Sequence, residues 1–133
     1  MPTWIRRFAS VSIIVANLYF IVVMGIIALV AKRSEWRRSH TVELVAVELT
    51  YGVGVFVATR LWSCRRHTNL VFLGISVAAN MAYFVRMGSG ILPRTTASLL
   101  TFSISPWGIV PLANCAAAVC VAVVQKRRRG LAE

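Results

Sequence analysis

The sequence predicts an all-α polytopic membrane protein, a bundle of four transmembrane helices with short basic loops. Three observations carry that expectation. Hydrophobic residues make up 58% of the 133-residue chain and charged residues only 14%, against roughly 45–50% and about 25% in soluble domains. A fold this small leaves a sizeable share of its surface exposed, so that much apolar area calls for lipid as solvent. The apolar residues also fall into four runs of spanning length. Finally, the basic residues sit in short clusters between those runs, where Arg and Lys anchor helix ends at the headgroups. The chain is read as a single transmembrane domain over residues 1–133.

The first run, residues 8–31, carries no charge and follows Trp4, Arg6 and Arg7. A signal peptide also opens on positive charge, but its apolar core is about 7–15 residues long; this run is expected to stay as a first span. A polar loop follows, with Trp36 at interfacial level. The second run, residues 41–62, holds two carboxylates, Glu43 and Glu48. Thr41 is placed to cap it, Glu43 lies in the first turn where the helix dipole favours an acid, and Arg60 and Trp62 mark the far interface.

A basic turn leads to the third run, residues 69–86. Gly74, Ala78 and Ala82 recur every fourth position, a spacing that lets two helices approach closely in lipid. Gly88, Gly90 and Pro93 predict a loop over residues 87–93. The last apolar stretch is too long for one crossing and is interrupted by Pro106 and Pro111. The preferred solution is a short interfacial segment over residues 97–105 and a span over 106–125 opened by Pro106, since proline suits a first helical turn. The other is one long kinked helix.

Four crossings place both termini and the second loop on one side. Arg6, Arg7, Arg60, Arg65, Arg66 and the basic run 126–129 lie there, against Lys32, Arg33, Arg37, Arg38, Arg86 and Arg94 opposite. The positive-inside rule then prefers cytoplasmic termini. The net charge of +11, from 15 Lys and Arg against 4 Asp and Glu, is assigned to a bilayer with anionic lipid headgroups and to no nucleic acid, because no nucleic-acid-binding motif accompanies it.

Each span carries one strongly polar residue near mid-depth: Asn17, Glu48, Asn80 and Asn114. At about 1.5 Å per residue all four fall about 14–21 Å from the N-terminal side of a core about 30 Å thick, so they would meet in one layer if they face inward. An acid at that depth costs on the order of 2.5–3.5 kcal/mol and is a functional candidate for that reason. Glu48 is the candidate catalytic group, by proton exchange or as general acid. Asn17, Tyr51, Asn80, Tyr83 and Asn114 are candidate substrate-binding residues. Glu48, Tyr51 and Gly52 share a helix face, and Gly52 and Gly54 would open space beside the acid.

Cys115 and Cys120 point about 140° apart on a helix, Cys64 lies in a loop, and His40 and His67 fall on opposite membrane sides. These placements predict no metal, and no cofactor motif is present. Three functions fit: a transporter or channel-like protein with a proton-titratable intramembrane Glu; a membrane-embedded isomerase or cyclase using Glu48 as general acid on a lipophilic substrate; or an accessory subunit of a larger complex. Four helices barely enclose a pathway, so a homo-oligomer or a larger membrane-protein partner is expected.

Overall fold

The computed structural model describes residues 1–30, 38–63, 67–91 and 96–132. It is all-helical: α1 (Thr3–Val30), α2 (Arg38–Ser63), α3 (Leu70–Ile91), α4 (Thr96–Ile104) and α5 (Pro106–Ala132). Among these, α1, α2, α3 and α5 are long and apolar enough to cross a membrane. The chain is a multi-pass membrane protein of four spans. The expected cysteine and histidine of the loops, Cys64 and the His40 side chain, lie outside the described residues.

Several boundaries move outward from the sequence expectation. α1 takes in Trp4, Arg6 and Arg7, and its first turn closes with the Arg6 amide donating to the Pro2 carbonyl at 3.3 Å. α2 already runs at Arg38, so Thr41 is a helical residue and not the cap. α3 continues through Gly88 to Ile91 where a loop was expected. Glycine is a weak helix breaker at a membrane interface, where a neighbour can fix the backbone. Here the Phe102 ring does so, lying 3.4 Å from where a Gly88 Cβ would be. α5 runs on through its basic tail to Ala132.

The last apolar stretch divides into a short helix and a helix opened by proline, as the preferred solution had it. α4 is nine residues long, about 13.5 Å at the helical rise, too short to cross. Ser105 separates it from α5. The Ser105 carbonyl accepts from the amides of Gly108 and Ile109 at 3.0 and 2.9 Å, which makes it the cap residue before Pro106 at the first helical position. The elbow is tight. A Cβ on Gly108 would lie 2.2 Å from the Phe102 carbonyl oxygen, so only glycine fits.

α5 is the central helix. Of its spanning window 39% is buried, against 11% for α1. Two apolar clusters divide the interior. One holds Val57, Leu61, Leu73, Ala117, Ala118 and Val121. The other holds Phe20, Val47, Tyr51 and Val110, with Tyr83 and Trp107 packed on it. α1 is fastened to α2 by the Ser10 hydroxyl, which donates to the Ala58 carbonyl, and by Arg7 over the Trp62 ring at 5.3 Å.

The small-residue stripe of α3 does not serve the fold. Gly74, Ala78 and Ala82 are exposed, and nothing lies within 4 Å of where a Gly74 Cβ would be. The side of α3 that packs inward carries Leu73, Ser76 and Asn80. Polar anchoring through Asn80 sets the rotation of the helix and turns the small residues outward.

Candidate functional site

Three of the four mid-depth polar residues meet. Asn17, Asn80 and Asn114 are fully buried and lie between the two apolar clusters. The Asn17 and Asn114 amides form a reciprocal pair: Asn17 Nδ2 donates to Asn114 Oδ1 at 2.8 Å, and Asn114 Nδ2 donates to Asn17 Oδ1 at 2.9 Å. Asn114 Nδ2 also donates to Asn80 Oδ1 at 2.9 Å. The remaining donors turn to the backbone, Asn17 to the Ile13 carbonyl at 2.7 Å and Asn80 to the Ser76 carbonyl at 2.9 Å. Each amide thus meets its bonding needs inside the protein, as a lipid environment demands.

α2 contributes room to this layer, through Gly54. A Cβ there would fall 2.5 Å from Asn114 Nδ2 and 2.7 Å from Asn17 Oδ1. Gly52 has nothing within 4 Å. The space expected beside the acid is therefore beside the amides, and Gly54 alone supplies it.

Glu48 is outside the layer. It is six positions from Gly54, so it projects about 120° around α2, and its side chain is only partly buried. It has no hydrogen-bond partner among the described residues. Its helix neighbour Tyr51 is fully buried. The Tyr51 ring stacks on Phe20 at 5.5 Å between centroids and meets Tyr83 edge-on at 5.6 Å. Phe20 also meets Trp107 at 4.6 Å. The Tyr51 hydroxyl is buried, with the Tyr83 side chain beside it. Tyr19 faces outward, 63% exposed.

Two of these rings, Tyr83 and Trp107, line a cleft of about 760 Å³ between α2 and α3. Met24, Val47, Tyr83 and Trp107 line its depth, and Thr50, Ala46, Ala79 and Ala82 its sides. Glu43 and Arg86 line it as well, and they form an ion pair that joins the start of α2 to the end of α3. Both are substantially exposed on the surface of the bundle. The volume is that of a small-molecule pocket, and an apolar wall with a few convergent polar groups is the usual make-up of one.

Arg86 and Trp107 are parts of the site that reading by residue type passed over, whereas Gly54 was expected to open space, but beside the acid. Arg86 had a signal: it closes the third apolar run at the end of the bundle where Glu43 lies in the first turns of the second. Among the described residues no three His, Cys, Asp or Glu side chains gather as a metal-ligand set. Compared with known protein families, curated proteins and solved structures, the chain matches none.

Proposed function

We propose that this small polytopic membrane protein is transporter-like and takes a lipophilic substrate from the bilayer into the cleft between α2 and α3. The observation that carries the reading is the cleft itself, apolar at its sides, aromatic at its depth and ion-paired at one end. A lipophilic body would lie along Ala46, Ala79 and Ala82 and stack on Tyr83 and Trp107. Tyr83 lines the cleft with the buried Tyr51 behind it, and the Tyr83 hydroxyl is the hydrogen-bond group offered to a polar atom. The three asparagines close the interior beneath the cleft, and in this reading they meet the substrate only after rearranging.

Glu48 carries the proton in this reading. It is the described carboxyl nearest mid-span, one turn from Tyr51 on the same helix. Protonation would change the charge at the flank of α2 as the cleft fills. The isomerase or cyclase reading has less support, because Glu48 does not line the cleft and a general acid must reach its substrate.

The test is uptake of neutral, cationic and anionic lipophilic dyes into proteoliposomes, with a pH-sensitive dye inside. Ala46→Phe, which fills the cleft from α2, should abolish uptake. Glu48→Gln should abolish accompanying proton movement at unchanged protein level. Uptake indifferent to Ala46→Phe sinks the reading. An accessory-subunit role is favoured separately by the outward small-residue face of α3. In that case Gly74→Leu releases a co-purifying membrane partner, whereas Ala46→Phe and Glu48→Gln are silent.

A further inference from the structure

The opposite end of the molecule holds a second concavity, of about 340 Å³, formed by His67, Thr68, Asn69, Leu70 and Arg129. It lies where the α2–α3 connection meets the C-terminal turns of α5. Every charged or polar feature of its lining suits an anion. α3 begins at Leu70, so the positive end of a 22-residue helix faces it. A helix start presents amide donors that lack intrahelical acceptors. Two of the nearby amides are satisfied: Val71 donates to Asn69 Oδ1 at 2.9 Å, and Leu73 to the Asn69 carbonyl at 3.1 Å. The other first-turn amides keep their donors.

The side chains supply the independent sign of a ligand. Thr68 is 7% exposed, and its hydroxyl oxygen is buried with no hydrogen-bond partner. A hydroxyl so placed is costly to bury unless something pairs with it. Arg129 lines the same concavity and has no carboxylate partner among the described residues. His67 adds ring N–H donors. Among the described residues no acidic side chain lines the concavity.

From this geometry we propose that the concavity binds a phosphate group. The donors come from several directions: a hydroxyl, a guanidinium, an imidazole and helix-start amides. A tetrahedral anion with several acceptor oxygens answers all of them at once, which a planar carboxylate does not. A lipid phosphomonoester headgroup and free inorganic phosphate share that chemistry. The site is remote from the cleft between α2 and α3, so it stands or falls independently of the transport reading.

The experiment follows the backbone amide NMR signals of Leu70 and Phe72 in the full chain. One arm titrates inorganic phosphate against chloride at equal ionic strength, in a maltoside detergent that carries no phosphate. The other compares nanodiscs of phosphatidylcholine with discs in which about a tenth of the lipid is phosphatidic acid. A saturable shift in the first arm assigns free phosphate; a shift in the second arm alone assigns the lipid headgroup. In either case Arg129→Gln and Thr68→Val should weaken it about tenfold, the usual scale for losing a hydrogen bond to a charged group. Thr68→Ser should restore it, and Arg127→Gln, outside the lining, should leave it unchanged. A shift that does not saturate, or that is equal in wild type, Arg129→Gln and Thr68→Val, overturns the proposal.

Discussion

α2 and α3 meet the rest of the bundle in two ways at two depths. At the level of Gly54 and Asn80 the interior is shut, with three amides bonded to one another and a glycine pressed against them. One to two turns toward Glu43 and Arg86 the same two helices part and leave a cleft of about 760 Å³. Lipid tails are as apolar as side chains, so no hydrophobic force draws two greasy helix faces together in a bilayer; close fit and polar bonds must do it. The amides supply such bonds in one layer. Between Ala46 and Ala79 or Ala82 there is nothing comparable, and the helices are bridged beside it by the Tyr51–Tyr83 ring contact and an exposed ion pair. Where polar groups demand partners the structure closes, and where none does it stays open.

Substitutions that attack the closed layer should have the largest effects. Gly54→Val puts carbon atoms where Asn114 and Asn17 already lie. It combines overpacking with loss of the amide bonds, on the order of 3 kcal/mol in all, read as unfolding free energy by steric trapping in bicelles. Gly52→Val, two residues away with open space around it, is the matched control and should change little. Equal effects at the two glycines would erase the distinction drawn here.

Next comes Asn114→Leu, which removes the hub and strands both Asn17 and Asn80. A loss of about 1–2 kcal/mol is expected, larger than for Asn80→Leu, which breaks one side-chain pair. A double-mutant cycle between positions 17 and 114 should give a coupling of about 0.6–1.7 kcal/mol, and a coupling of zero would show the amides to be independent.

The open region should be nearly indifferent to change in stability. Glu43→Gln or Arg86→Gln breaks an exposed ion pair, for which at most about 1 kcal/mol is expected, falling with added salt. Thermal unfolding in detergent at low and high salt reads this. Smallest of all, Ala46→Phe should leave stability within about 0.5 kcal/mol while filling the cleft. A large loss there would mean that α2 and α3 need to close in the native state.

Much of the architecture was legible because it rests on length and charge. Residues 8–31 were long enough to span, and Pro106 marked the preferred place for the last span to open, with one long kinked helix as the other solution. Helix ends were less legible. Gly88 looked like a breaker, and nothing in its sequence surroundings announces that a Phe102 ring from another helix will cover it. Depth counting brought Asn17, Asn80 and Asn114 to one level correctly, because rise per residue is fixed. It could not decide rotation. Glu48 sits at nearly the right depth but about 120° around α2 from the layer. Gly74, Ala78 and Ala82 have the right spacing on the outward face. Rotation depends on which residues the neighbours offer, and that knowledge arrives only with the tertiary structure.

The elbow at Ser105 has a consequence for those depths. Gly108 locks against the Phe102 backbone, so the start of α5 is held fixed against the end of α4. Asn114 then hangs eight residues, about 12 Å, beneath that fixed point. The joint works as a ruler: it sets the distance along the last helix at which its amide meets those of the other two.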